Sequence, residues 1–599
     1  MSDRKAKGAR PAASIQKNDT VPLHIEEINN LGCGVGHLPD GRVMFVRGTA
    51  TGDKLTAKVI KVAKSYLVGR PMAYTSHSPY RTAPDCDAYP ACGGCVYRHI
   101  TYEHELRVKH DYVKAAFAKA GLPEVEIEAV RTTGEVCGYR NKAQYPVGNG
   151  ENGMIAGFYA DHTHRILPIA HCALQPAVFS AIVRDVCDFC TRHGIRAYDE
   201  TDGTGLLRHI YLRQGRVSGE VLLCLVICGE AFPHADALCA ELTAAHPSLV
   251  GILLNHNLKN TNVVLGEKYT LLHGKDTMRD TLCGREFDIS PAAFYQVNHD
   301  AAELLYGIAR ERAALTGSET LLDLYCGIGT IGLSMADGCA RLVGIEIVPE
   351  AVENAKENAR RNGENNALFF RGDVGDDGDV SGLLAEAEAA LGSLDVDVAI
   401  IDPPRKGTTP ALIALLSERQ INRVVYVSCD VDTLARDCAI FKQYGYKIGT
   451  VTPVDLFPRT GHVESVVCLS RKTTHEMKLY ASPFEKIQSG AKNIELRLYD
   501  EKRQKIKAGD DIIFTNTDTG EKICATVKKL HLFASFEELY KTLPLLQCGY
   551  TTDDVGTAHP SDMEQYYSAE EQRKYGVVGI ELFPPKQITD ESVVCLEKT

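Results

Sequence analysis

No run of apolar residues in this sequence is long enough to cross a bilayer. The longest, Val221 to Cys228, covers eight positions, whereas a membrane helix needs roughly 20. The start lacks an apolar core as well: residues 1–20 are rich in Lys, Arg and Ala and read as a disordered basic tail, neither signal peptide nor anchor. Surplus positive charge is also missing. A net charge of −12 excludes a protein that coats nucleic acid indiscriminately, because such binding is driven by Lys and Arg releasing counterions from phosphates; a local basic face remains compatible. What is present is a soluble, globular composition, 44% hydrophobic and 24% charged, in a chain long enough for roughly three to five domains. Twenty cysteines without a secretory signal argue for a reducing compartment, where thiols pack, bind metal or attack rather than pair. The expectation is a cytoplasmic monomer with no membrane partner.

With neither internal repeats nor low-complexity tracts, domain boundaries show as changes of pattern. Between residues 21 and 77, short β-rich runs such as Arg42 to Val46 and Lys54 to Val62 alternate with glycine turns, which predicts a small antiparallel barrel. It resembles the TRAM domain, an oligonucleotide-binding (OB-fold) barrel. Residues 78–290 form a mixed α+β region that includes a helix from Tyr102, with apolar positions Leu106, Val108, Val113, Ala116 and Phe117, stopped by Gly121-Leu122-Pro123. Over residues 291–472 strands and helices alternate: Leu321 to Tyr325, Leu342 to Ile347, Leu368 to Gly372, Val396 to Ile401 and Val424 to Ser428 read as continuous apolar strands of a doubly wound α/β sheet. A polar linker near Lys472 precedes a strand-rich module over residues 477–599.

Ligands of such sheets bind outside the carboxyl ends of the strands. The first strand runs into Gly327-Ile328-Gly329-Thr330-Ile331-Gly332, where glycines let the chain turn and a ligand approach the next helix, and Glu346 ends the second strand, within reach of ribose hydroxyls. Alone, this pattern suits NAD, S-adenosylmethionine or a structural turn equally. Two further strand ends favour the methyl donor. Gly372-Asp373 is positioned to meet an adenine amino group, and Asp402-Pro403-Pro404-Arg405 forms an acidic diproline corner like that facing the substrate in nucleic-acid methyltransferases.

The fifth strand ends in Ser428-Cys429. A lone cysteine usually packs, but a thiolate at this edge could add to C6 of a pyrimidine and make C5 nucleophilic. The cycle must then end with removal of the C5 proton by a base, and Thr460-Gly461-His462-Val463-Glu464 offers a carboxylate just before the last strand. Taken in order, Asp402 to Arg405, Ser428-Cys429 and His462-Val463-Glu464 resemble the RNA uracil-5-methyltransferase family, in particular its 23S ribosomal RNA branch. The resemblance spans residues 21–471 and implies a Rossmann-like class I methyltransferase domain. It makes Cys429 the nucleophile and Glu464 the base, and puts Gln296, Tyr325, Gly327, Gly329, Glu346, Asp373 and Asp402 around S-adenosylmethionine. Asp430-Val431 departs from the usual Asn-Pro, and Thr330 from a common Asn.

Cys86, Cys92 and Cys95 lie within ten residues of one another, and Cys172 follows at a distance. On spacing alone, zinc and an iron-sulfur cluster are equally compatible. The resemblance implies a [4Fe-4S] cluster at these four thiols, structural or RNA-orienting, since no radical-type Cys-x3-Cys-x2-Cys triad occurs. Arg98 stands for a common Gln and is expected to leave the ligands untouched. Tyr139-Arg140-Asn141-Lys142 supplies cations suited to phosphates. In the last module, Gly490-Ala491-Lys492, Glu495 and Arg497 resemble an ASCH domain, with Lys492 and Glu495 lining a cleft and no catalysis expected. The substrate so implied is structured ribosomal RNA. Alternatives are a transfer RNA methyltransferase, an NAD-dependent iron-sulfur oxidoreductase and a non-catalytic RNA-binding protein.

Overall fold

Five of the strands expected in the α/β region form, each within two residues of the reading above. In a computed structural model of the chain, which describes residues 15–259, 263–375, 380–391, 394–471, 474–506 and 510–587, they are β1 (Thr320–Leu324), β2 (Arg341–Glu346), β3 (Ala367–Arg371), β4 (Val398–Ile401) and β5 (Arg423–Ser428). They are joined by β6 (Tyr446–Val454) and β7 (Glu464–Arg471) in the order β3-β2-β1-β4-β5-β7-β6. The first five are parallel, with Leu324 opposite both Ile345 and Ile401, so the residues that follow β1, β2 and β4 emerge side by side at one edge. Helices such as Pro349–Arg361 cover the sheet, as parallel strands buried on both faces require.

The barrel region holds six strands, and one pair, Val43–Arg47 with Tyr66–Ser76, is parallel rather than antiparallel as expected. The basic tail lies outside the described residues as far as position 14. Its last residues are ordered, a correction to the tail's expected extent: Ile15 packs on the barrel core and Thr20 opens the first strand. The apolar run that cannot span a membrane is the fully buried strand Val221–Ile227, inside a seven-stranded sheet of the middle region. That sheet is backed by two helices that the strand-rich pattern did not reveal, Ala177–Arg192 and Ala235–Ala245. No helix among the described residues is long and apolar enough to cross a membrane.

By its internal contacts the chain divides into two compact units, 1–440 with 448–469, and 441–447 with 470–599. In the second, a sheet built on the long strand Lys522–Phe533 encloses two apolar cores. Residues 507–509 and 588–599 of this module lie outside the described residues.

Within the first unit, the loop between β6 and β7 is gripped from several sides. Helix Tyr102–Lys119 forms where expected, but the face it buries is partly charged: Glu105 and Lys109 are almost fully buried, while Leu106 is only half-buried. Lys109 Nζ lies 2.8 Å from Glu105 and 2.7 Å from Asp455, and also donates to the Phe457 carbonyl at 3.2 Å. Tyr102 donates to the other Asp455 oxygen at 2.9 Å, and Glu105 accepts from Arg459 N–H at 2.7 Å. Tyr139 donates to the Pro458 carbonyl, Asn298 to the Leu456 carbonyl, and Val96 N–H to the Arg459 carbonyl. A Cβ at Gly461 would lie 1.6 Å from the Asn30 carbonyl oxygen, so only glycine lets the barrel approach this closely. Burial pushes the Glu105 carboxyl upward against the pull of Lys109.

A buried carboxylate pair stripped of its cation is strongly destabilising. Lys109→Met is therefore expected to cost about 3–5 kcal/mol, read as a lower urea midpoint for unfolding of the first unit. A midpoint equal to wild type would show that this network does not hold the loop.

Candidate active site and thiol cavity

The carboxyl edge of the parallel sheet opens into a cavity of about 660 Å³. Tyr325 follows β1 at φ 62°, in the left-handed region, where a non-glycine side chain is uncommon. Its hydroxyl donates to the Val374 carbonyl at 3.2 Å. Gly329, at φ 83°, begins helix Thr330–Ser334, and a Cβ at Gly332 would lie 2.7 Å from the buried Asp323 carboxylate, which instead accepts the Gly332 N–H at 2.9 Å. The glycine loop is thus drawn down onto its own strand. Glu346 is held by two backbone donors, Gly327 N–H at 3.0 Å and Val348 N–H at 2.9 Å, one on each carboxylate oxygen. Asp373 accepts from Gly375 N–H at 2.7 Å.

Gln296, Tyr325, Gly327, Glu346, Asp373, Asp402, Cys429 and Glu464 all line this one cavity. Of the expected set, Gly329 alone is not among its walls. Two residues that the sequence reading passed over also line it, Ile347 and Phe294, both large, apolar and more than half exposed. An exposed apolar residue beside Glu346 is the signal that could have marked Ile347 as a surface for a flat ring. The donor set therefore fits S-adenosylmethionine: a carboxylate for ribose at Glu346, a polar wall at Asp373, apolar contact at Ile347, and an open loop at Gly327, where an added Cβ meets nothing.

The Cys429 thiol is pushed up to about 12, first by burial, then by Glu464 and Asp402, with Arg405 opposing. Burial raises Glu464 to about 8, with Asp402 adding to the effect, and raises Asp402 to about 7. The thiol and two carboxyls thus sense one another in a single low-dielectric space. Arg405 Nη2 lies 3.3 Å from His462 Nε2, joining the diproline corner to the strand that carries Glu464. Glu464 is the first residue of β7, not a loop residue before it. Asp430 accepts from Thr433 N–H at 3.0 Å, so the departure from Asn-Pro serves as an acidic start to helix Val431–Gln443.

Cys86, Cys92, Cys95 and Cys172 line a second cavity of about 650 Å³. The metal centre expected there is not shown: among the described residues, no three His, Cys, Asp or Glu side chains form a group that could hold a metal ion. Arg98 does not stay clear of the thiols, correcting the expectation. Its Nε donates to Cys95 Sγ at 3.3 Å, it pairs with Asp85, and its buried Nη2 has no hydrogen-bond partner among the described residues. An orphaned guanidinium nitrogen beside four thiols fits a thiolate-bound, negatively charged group.

Residues 266–472 match the family model for tRNA (Uracil-5-)-methyltransferase, residues 16–72 the TRAM domain and residues 477–586 the ASCH domain. An uncharacterized RNA methyltransferase of Halalkalibacterium halodurans is 40% identical over 470 residues, covering 78% of this chain and all of that one. One from Clostridium acetobutylicum is 36% identical over 463 residues, covering 76% and 98%. This chain belongs to the RNA uracil-5-methyltransferase family. The methyltransferase also shares the fold of the Pyrococcus abyssi tRNA (uracil-54, C5)-methyltransferase, at a TM-score of 0.59 and 24% identity over 75% of this chain and all of that one. With the family established, the NAD-dependent oxidoreductase reading of the glycine loop falls away.

A carboxyl whose folded pKa is raised contributes stability that is complete below its unfolded value and lost as pH rises through the folded one. For Glu464 that window runs from about 4.5 to about 8. Glu464→Gln should therefore match wild type at pH 5 and be the more stable protein at pH 8.5, by up to about 5 kcal/mol at 1.36 kcal/mol per unit. Thermal melts of the ligand-free proteins at the two pH values test this, and equal melting at pH 8.5 would refute the buried, neutral Glu464.

Proposed function

We propose that this methyltransferase transfers a methyl group to carbon 5 of a uridine in 23S ribosomal RNA through a covalent adduct with Cys429. The observation that carries the reading is the opening of Cys429 and Glu464, from β5 and β7, into one cavity with the carboxylates at the ends of β2 and β4. Glu346, Asp373, Gln296 and Tyr325 are the residues proposed to hold S-adenosylmethionine. When bound, it supplies an electrophilic methyl group. Cys429 Sγ, once its proton has passed to solvent, bonds to C6 of the uracil, and C5, made electron-rich, takes the methyl group. Glu464 then accepts the C5 proton as the Sγ–C6 bond breaks, the C5–C6 double bond returns and Sγ leaves as thiolate. Burial raises both groups in the empty site, so the two negative charges are not held side by side before RNA arrives, and each group gives up its proton to solvent before it acts.

A second reading, transfer RNA as substrate, is favoured by the match of residues 266–472 to the tRNA (Uracil-5-)-methyltransferase family and by the tRNA specificity of the Pyrococcus abyssi neighbour. Incubating each RNA with methyl-labelled cofactor separates the two.

Loss of each proposed catalytic group should stop the cycle at a different point. Cys429→Ala is expected to bind RNA and form neither product nor adduct. Glu464→Gln keeps the nucleophile and loses the base, so a methylated protein-RNA species should accumulate on a denaturing gel. Full turnover by Glu464→Gln, or an adduct that survives Cys429→Ala, would overturn the assignment.

We further propose that Cys86, Cys92, Cys95 and Cys172 hold a [4Fe-4S] cluster, supported by the thiol-lined cavity and the Arg98 contact. Bound there, it would tie the Cys86 to Cys95 loop to the distant Cys172. Anaerobically purified protein is expected to contain iron and sulfide in near-equal amounts, both lost in Cys92→Ser; stoichiometric zinc without iron would replace this proposal with a zinc site.

A further inference from the structure

Arg140 and Lys142 line both cavities at once, the thiol cavity and the cleft that holds Cys429. They form the wall between two sites that the sequence presents as unrelated. The register of the middle sheet makes this wall electrostatically unfavourable. Strand Lys142–Gly150 pairs antiparallel with Leu207–Gln214 and sets Lys142 directly opposite Arg213, and Arg140 precedes Lys142 by two positions. Like charges directly across a strand pair are destabilising.

No ion pair among the described residues offsets them. Arg213 is buried and gives its guanidinium to the Ser290 and Ala293 carbonyls, at 3.1 and 2.9 Å. Neither Arg140 nor Lys142 has a carboxylate within ion-pair distance among the described residues, although both are half-buried. The repulsion is felt locally: burial, then Arg213, then Arg140, lower the Lys142 ammonium to about 8. Half-buried cations facing one another without an anion mark a place where the ligand brings the charge.

We propose that Arg140 and Lys142 form a phosphodiester-binding site, seating an RNA phosphate next to the target nucleotide where the strand enters the methyl-transfer cleft. The inference rests on the RNA methyltransferase reading above and names the wall along which the substrate runs. The anion chemistry suits a backbone phosphate, because the wall faces the open cleft that the target nucleotide must enter to reach Cys429. It also accounts for a net-acidic protein holding RNA: the cations are few and local.

The test uses the full chain with Lys142→Gln, Arg140→Gln and Lys142→Arg, and a uridine-containing ribosomal RNA fragment. Each charge removal should weaken RNA binding about 5- to 30-fold near 0.1 M salt and lower the slope of log affinity against log salt by roughly 0.7 to 0.9. Lys142→Arg should retain most of the affinity. S-Adenosylmethionine affinity should stay unchanged in all three, and Lys142→Gln should melt no lower than wild type without RNA, since it relieves repulsion with Arg213. A neutral methylphosphonate placed beside the target uridine should weaken wild type as Lys142→Gln does and add nothing further to that variant. Unchanged RNA affinity and salt slope, or a lowered melting point in Lys142→Gln, would overturn the proposal and leave Lys142 a structural residue. Failure of wild type to methylate any uridine, with the salt slopes as expected, would instead count against the proposed reaction and leave the phosphate site standing.

Discussion

The buried ion network of Lys109, Glu105 and Asp455 is the constraint on which the rest of the first unit depends. One ammonium on a helix outside the parallel sheet satisfies two carboxylates, one of them on the loop that leads to Glu464. Such a network is costly to desolvate and contributes net stability only when every member is satisfied. Here Tyr102, Arg459 N–H and the Phe457 carbonyl complete it. The loop thereby becomes a shared surface for the barrel at Asn30, the thiol loop at Val96, Tyr139 and Asn298. The barrel, the thiol loop and the region proposed to do chemistry meet at the residues just before the proposed base.

That arrangement explains how groups of opposite chemical need coexist. A parallel sheet brings its strand ends out side by side, which is why Glu346, Asp402 and Cys429 share a cleft although they are far apart in sequence. The same convergence crowds acidic groups into a low-dielectric space, raising both Asp402 and Glu464. Pairs of titratable groups displaced in this way are common where protons are moved. The cleft is relieved by Arg405, which opposes the upward shifts of both Glu464 and Cys429.

Much of this was legible in the sequence. The β1 to β5 strands, the glycine loop, the diproline corner and Cys429 follow from local pattern, because apolar runs separated by amphipathic helices define a parallel sheet and its carboxyl edge. The helix from Tyr102 was equally clear, yet its buried charges were not: Glu105 and Lys109 look like an ordinary solvated i, i+4 pair until Asp455, some 350 residues later, is brought against them. The helices Ala177–Arg192 and Ala235–Ala245 were obscured by the strand-rich pattern around them.

The sequence by itself determined the order of the modules, the class of sheet and the chemistry of the side chains at its edge, since those depend on hydrophobic period and residue type over short windows. Only the tertiary structure decided what each side chain faces. It set Lys142 across from Arg213 through strand register, turned Arg98 from a bystander into a donor to Cys95, and brought the four thiols to the walls of one cavity. The physical reason is that a charge or a thiol is defined by its partners and its burial, and both are set by contacts between residues that sequence distance does not relate.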